Sequence, residues 1–396
     1  TVLEQESRNI LTALNATCEL GQRAEFVQMV YVFAPFLHRR GLYTQAELLL
    51  QRANEAAREL GDLSGKVNIL MYLGQTEEKL GNYRQAEAYL SDGLVLTRQV
   101  GDRKRSCAIL RALGMVTVLY RGYTVAEAYY QEGLTLARQI GDPKEISGFV
   151  NNLGTLTAAL GNYTQAEIYL QEALTLARQI GYQEWIIDIL LNLGDLASKR
   201  VCSAQAAEAY YQEGLLLARQ LGHRLGISAL LNSLGKAATE RGEYDRAEGY
   251  LHEGLTLARQ IEHPEQIGYL LETLGMLATR RRNYALAKAY LQQGLAIARR
   301  LGHLELICGM LLRWGEVYLG QHQPGEAGAA FHEMSNLVPK GNQELAAQAQ
   351  YGLAHVAAAQ GNTTEARRLG EASLAIFEAI EHRIATEVSQ WLITLL

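Results

Sequence analysis

One dipeptide recurs through this chain at a nearly fixed interval: Leu73-Gly74, Leu113-Gly114, Leu153-Gly154, Leu193-Gly194, Leu234-Gly235, Leu274-Gly275 and, with the leucine replaced, Trp314-Gly315. The steps between successive glycines are 40, 40, 40, 41, 40 and 40 residues. A second column of small residues lies twelve positions on (Ala86, Ala126, Ala166, Ala247, Ala287 and Ala327, with Ala207 displaced by the one-residue insertion). A third lies seven further: Gly93, Gly133, Ala173, Gly214, Gly254 and Gly294. Phe33-Ala34 with Ala46 and Ala53 opens the series as a degenerate copy, and Leu353-Ala354 with Ala366 and Ser373 closes it, which makes nine units. A period of this kind specifies an array whose units bury their apolar faces only against neighbours. A chain of 396 residues therefore need not divide into separate globular domains.

Each unit reads as two helices. In the fourth, Phe149, Val150, Leu153, Gly154, Thr157 and Leu160 fall on one helical stripe, and Ala166, Tyr169, Leu170, Ala173, Leu174 and Ala177 on a second. Gly161-Asn162 separates them and Gly181 closes the second, because both residue types tolerate the left-handed backbone that ends helices. Asp142-Pro143-Lys144-Glu145 is a start signal, with Asp as N-cap, Pro at the first helical position and an acid in the first turn. The small columns have a packing reason: at a close helix crossing, a larger side chain would push the helices apart.

These columns resemble the tetratricopeptide repeat. Its pattern of Leu-Gly in the first helix, Tyr near the turn, Ala in the second helix and a small residue seven later stands here as Leu153-Gly154, Tyr163, Ala166 and Ala173. The resemblance covers nearly the whole chain, with a period of 40 rather than the usual 34. It implies an all-α, right-handed superhelical solenoid of antiparallel helix pairs. The expected organisation is an N-terminal capping helix over 1–26, nine helix pairs over 27–385, and a further capping helix or the start of another element over 386–396. Two irregularities predict local kinks: the 41-residue step near Arg200-Val201-Cys202-Ser203, where the turn tyrosine is lost, and the weakened pattern around Pro324 and Asn336 to Asn342.

A second resemblance precedes the repeats. Glu6-Ser7-Arg8-Asn9-Ile10-Leu11-Thr12-Ala13-Leu14 reads as a helix whose apolar stripe caps the first unit. It is similar to a stretch that follows the nucleotide-binding and winged-helix modules of bacterial signal-transduction ATPases with numerous domains (the STAND and NB-ARC class), where a repeat array serves as sensor. The resemblance implies a sensor arm whose intramolecular partners are those modules. Thr1 in place of Met fits a piece of a longer protein. The chain carries no Gly-x-x-x-x-Gly-Lys-Ser/Thr stretch of its own. A free-standing adaptor that binds peptide segments of partner proteins is the alternative.

Composition removes other classes. Net charge is −5, and nucleic-acid binding needs a clustered basic surface. Arg103-Lys104-Arg105 and Arg280-Arg281-Arg282 read as solvated helix ends. Cys18, Cys107, Cys202 and Cys308 are isolated, without metal-ligand spacing, so no cofactor or metal is expected, and a reducing cytoplasm suits them. No apolar run is long enough to span a bilayer. His223, His252, His263 and His303 are scattered over unit junctions, and no nucleophile stands beside a base, so a non-catalytic chain is expected.

Binding is the remaining role. With first helices lining the concave side, fixed offsets from the Leu-Gly glycine select the inward residues: Asn68, Met71, Tyr72 and Gln75, then Arg111 and Met115. Asn151, Asn152 and Thr155 follow, then Asp188, Asn192 and Asp195, then Asn232 and Lys236. Tyr269, Glu272 and Met276, Arg313 and Glu316, and finally Gln348, Tyr351 and His355 complete the face. The packing columns stay fixed while this face varies. Its amides offer paired donors and acceptors that suit a peptide, a protein segment or a small-molecule inducer. Asn152 and Asn192 occupy the place before Leu-Gly that resembles the ligand-holding asparagine of adaptor arrays. Two further ladders on the second helices, Arg98, Arg138, Arg178, Arg219, Arg259 and Arg299, and Tyr89, Tyr129, Tyr169, Tyr210, Tyr250 and Tyr290, read as bridges between units.

Overall fold

The computed structural model describes residues 2–39, 42–201 and 203–395, with side chains over 9–38, 42–201 and 203–395. Among them every regular element is a helix, and only an isolated antiparallel bridge between Arg200 and His382 departs from that. The array of consecutive antiparallel pairs expected from the period is present, with one extra helix at each end.

The chain forms two compact units, Thr1–Gly141 and Asp142–Leu396. The first holds α1 (Val2–Glu19), α2 (Arg23–Arg39), α3 (Tyr43–Leu60), α4 (Leu63–Leu80), α5 (Tyr83–Val100), α6 (Arg103–Tyr120) and α7 (Tyr123–Ile140). Ile10, Leu11, Leu14 and Cys18 of α1 pack on a core built from Phe26, Val30, Phe33, Leu37, Leu49 and Leu50. The side chains of Glu6, Ser7 and Arg8, named above, lie outside the described residues.

The second unit begins with α8 (Pro143–Ala159), α9 (Tyr163–Gln179), α10 (Gln183–Lys199), α11 (Ala204–Leu221), α12 (Arg224–Glu240) and α13 (Tyr244–Gln260). It continues with α14 (Pro264–Arg280), α15 (Tyr284–Leu301), α16 (Leu304–Gly320), α17 (Pro324–Leu337), α18 (Gln343–Ala359), α19 (Thr363–Ala379) and α20 (Ile384–Ile393).

The glycine column has the steric cause inferred for it. A Cβ built on Gly154, Gly235 or Gly275 would lie 2.7, 2.6 or 2.6 Å from the side chain of Leu170, Leu251 or Leu291 on the paired second helix. At Gly114 and Gly194 the obstacle is the ring of Tyr130 or Tyr211. Helix starts recur at the same period. Asp62, Asp102 and Asp142 accept backbone N–H groups of the first turn, and His223, His263 and His303 do the same through Nδ1 at 3.3 Å. These three histidines are therefore N-caps, a role their spacing permitted but their residue type concealed. Pro324 does not kink a helix. It occupies the first turn of α17, where its missing N–H costs nothing.

Two ladders stitch neighbouring pairs. Arg98–Glu132, Arg178–Glu213, Arg219–Glu253 and Arg299–Glu333 join second helices, as the arginine column suggested. Glu87–Arg121, Glu167–Arg200, Glu208–Arg241 and Glu248–Arg281 form another. Within the basic run 280–282, Arg281 is thus committed to carboxylates. Arg219 and Glu253 are 51% and 46% exposed, so Arg219→Ala is expected to cost less than ~1 kcal/mol, and less still in high salt. Urea unfolding at low and high ionic strength checks this.

Candidate functional site

The concave side follows from which helices touch. In the second unit α10, α12, α14, α16 and α18 pack on one another in succession, whereas each second helix packs on the first helices flanking it. The same holds for α2, α4 and α6 in the first unit. First helices are therefore closest together and line the inside of the curve.

In the first unit, Asn68, Tyr72 and Gln75 on α4 and Arg111 on α6 are half-buried. The Tyr72 ring lies 5.8 Å from Tyr31 and 5.6 Å from His38. His38 Nε2 is 2.7 Å from Thr76 Oγ1, and Thr76 in turn donates to the Tyr72 carbonyl. Burial, with Tyr31 beside it, pushes the Tyr72 hydroxyl above its ordinary value. The result is a small aromatic patch rather than a row of amides.

The second unit carries the amides. Asn192 Nδ2 donates to Asn151 Oδ1 at 2.9 Å, bridging α10 and α8. Asn152 stands next to that bridge in the sequence and is half-buried. Asp195 accepts from the Tyr211 hydroxyl at 2.6 Å and from Ser233 at 3.2 Å, so three helices converge on one carboxylate. Asn232 on α12 is half-buried, and its Oδ1 is enclosed without a hydrogen-bond partner. Asp188 and Lys236 are exposed.

Farther along, the predicted residues are committed to one another. Arg313 Nη1 donates to Glu316 at 2.9 and 3.0 Å, and its Nε lies 3.7 Å from Glu272. The guanidinium side chain is only 13% exposed. Tyr269 presents its ring edge-on to His303, with the hydroxyl 3.4 Å from Nε2, and His303 reaches Glu265 at 3.4 Å. Tyr351 packs against His355 at 4.5 Å and Trp391 of α20 at 5.5 Å. Tyr351 thus holds α20 in place as much as it faces the groove. Met276, expected to face inward, is buried in the core at 3% exposure.

Sequence reasoning missed one cluster. Lys199 Nζ meets Glu344 Oε2 at 2.8 Å, and His382 Nε2 lies 3.7 Å from the other carboxylate oxygen. Lys199 stands at the irregular 41-residue step, which marked the place without naming its partners. The expected kink there is instead a contact point: Arg200 is extended (φ −91°, ψ 153°) and bridges to His382. Cys202 lies outside the described residues.

Two open recesses in the first unit contain none of the predicted inward residues. One of about 810 Å³ is lined by Glu47, Gln51, Glu77, Tyr89 and Tyr120 among others, and one of about 590 Å³ by Thr97, Arg98 and Glu132 among others. Among the described residues, no three His, Cys, Asp or Glu side chains come together as a metal site. No helix is long and apolar enough to cross a membrane.

Comparison with known proteins agrees with the helical-repeat fold. Residues 147–220 and 228–265 match family models of the tetratricopeptide repeat. A Rap protein complexed with Competence and Sporulation Factor is 16% identical, with 94% of this chain and 97% of that one covered and a TM-score of 0.56. A Rap conjugation gene regulator in complex with the Phr* peptide is 15% identical over 83% and 96%, with a TM-score of 0.61. A Signal Transduction ATPase with Numerous Domains from Pyrococcus horikoshii, which has a tetratricopeptide repeat sensor, is 15% identical over 92% of this chain and 54% of its own, with a TM-score of 0.50. At these identities the likeness is one of fold. No curated protein matches by sequence.

Proposed function

We propose that this chain is a non-catalytic sensor that takes an extended segment of a peptide or protein along the first helices of its second unit and relays occupancy to an N-terminal nucleotide-binding switch. The observation that carries the binding half is a contrast. Packing residues repeat in every unit, while the inner face changes from unit to unit and carries half-buried amides at Asn151, Asn152, Asn192 and Asn232. A peptide backbone supplies N–H donors and C=O acceptors at regular spacing, which side-chain amides can pair with. The Rap structures, complexed with Competence and Sporulation Factor and with the Phr* peptide, support a peptide-like occupant. The relay half rests on the Glu6 to Leu14 sequence stretch and on likeness to the STAND sensor. A coding sequence without a P-loop module upstream removes it.

Panning a random-peptide display library on the immobilised chain tests the binding half. The Asn152→Ala, Asn192→Ala, Asn232→Ala triple variant should bind the enriched peptides at least ~10-fold more weakly, since each lost hydrogen bond is worth about 1 kcal/mol. Its melting temperature should fall by no more than loss of the single Asn192–Asn151 hydrogen bond explains, about 1 kcal/mol. The control triple Gln179→Ala, Gln220→Ala, Gln260→Ala, on exposed second-helix ends, should bind as the parent does. Failure to enrich any peptide, or equal loss in both triples, contradicts the assignment.

A further inference from the structure

The end of the second unit returns to its beginning. The turn after α19, Ile380 to Arg383, reaches residues more than 180 positions earlier. The Arg383 N–H donates to the Lys199 carbonyl at 2.9 Å, and His382 forms the antiparallel bridge with Arg200. The Arg383 guanidinium meets Glu240 of α12 at 2.8 Å. Ile380, 3% exposed, fills the space over Gly161 in the α8–α9 turn, where a Cβ would come within 2.2 Å of its Cγ2. The glycines in the equivalent turns, Gly81, Gly242 and Gly361, have nothing within 4 Å. Beneath the turn, Lys199, Glu344 and His382 sit together with Tyr163, whose hydroxyl is buried without a hydrogen-bond partner.

We propose that the Ile380–Arg383 turn is a latch that closes the second unit into a ring and opens on mild acidification. The backbone bridge, the Arg383–Glu240 ion pair and the buried Ile380 hold it, so it is a specific contact rather than a surface collision. A ring of first helices admits an extended segment only from its open edges. Latch release therefore widens access to the inner face, a consequence that rests on the binding reading above, whereas the latch itself does not.

The charges around His382 set the direction. Glu344 on α18 is the carboxylate beside it, while Lys199 on α10, Lys236 on α12 and its neighbour Arg383 are cations. Tyr163 on α9 and Phe377 on α19 face its ring. Burial, reinforced by the three cations and only partly offset by Glu344, lowers the imidazole from its ordinary 6.5 to about 4. The released turn regains the ordinary value. A proton therefore binds the open form first: closure is at full strength above 6.5 and weakens as pH falls from there toward 4. Glu344, held low by Lys199 and His382 at about 2 despite its burial, acts in the same direction only below its ordinary 4.5.

Amide exchange on the full chain without ligand tests the latch, with the Arg383 N–H as reporter. Gly161→Ala should lower protection there at least ~10-fold, and Gly181→Ala, which carries the same left-handed strain (φ +67° against +86°) without a neighbour, should leave it within about twofold. In the parent, from pH 7.5 to 5.5 and after correction for intrinsic rates, protection at Arg383 should fall ~10-fold, and His382→Gln should abolish that step. Equal loss in the two glycine variants, or a parent protection factor that ignores pH, overturns the proposal. If Gly161→Ala loses protection in every helix, the parent pH step decides alone.

Discussion

Gly154→Leu is expected to lower folding stability by about 3 kcal/mol, at the upper end of what overpacking a close-packed helix crossing costs. The first carbon of any side chain at this position would already stand 2.7 Å from Leu170 Cγ and 3.3 Å from the Ala166 carbonyl oxygen. The leucine can move but the backbone oxygen cannot, so α8 and α9 must separate and open the interface that buries Leu153, Leu170 and Leu174. Gly249 on α13 provides the opposite case. It has nothing within 4 Å and is exposed, so Gly249→Ala should stabilise by roughly 0.5–1 kcal/mol through helix propensity alone. Urea unfolding of the two variants beside the parent measures both. Two glycines in helices, one repeated at the period and one outside it, should thus shift the midpoint in opposite directions.

Arg313→Met is expected to cost about 3 kcal/mol, the low end for breaking a buried ion pair from one side. Glu272 and Glu316, on adjacent first helices, are 20% and 33% exposed and share this one guanidinium. Methionine fills the volume but leaves two carboxylates facing each other without their cation. Removing the cause restores part of the loss: Arg313→Met combined with Glu272→Gln should be more stable than the sum of the single changes by ~1 kcal/mol or more. Thermal unfolding of the four proteins of this cycle provides the check. The same numbers change how the inner face is read. Arg313, Glu272, Glu316 and Asp195 are held by neighbouring side chains, so a binding defect on mutating them would mix structure with recognition. Substitution of Asn152 or Asn232 would test the proposed recognition more cleanly.

The difference between those two groups marks where the sequence stops being informative. The period alone located the helices, the turn glycines and the arginine ladder, because each is a local or nearest-neighbour consequence of a repeated pattern. The offsets from Leu-Gly also placed Asn192, Asn232 and Lys236 on first helices that line the curve. They could not tell that Asn192 bridges to Asn151 or that Tyr211 points its hydroxyl at Asp195, since those contacts depend on how far successive pairs rotate. Nor could they tell that Met276 is buried at 3% exposure while Met115, Thr155 and Lys236 in the same column are exposed. The cluster of Lys199, Glu344 and His382 was out of reach altogether. Its members are separated by up to 183 positions, and no local pattern pairs residues across five repeats. Only the extra residue beside Arg200 hinted that the chain does something different there.

The central claim is that first helices of the second unit form the binding face. The most direct measurement is amide exchange of the full chain with and without a saturating display-selected peptide. Slowed exchange concentrated in α8, α10, α12 and α14, with the second helices α9, α11 and α13 unchanged, is the predicted result. Slowing confined to the second helices, or spread over the first unit alone, would place the ligand elsewhere and contradict the account.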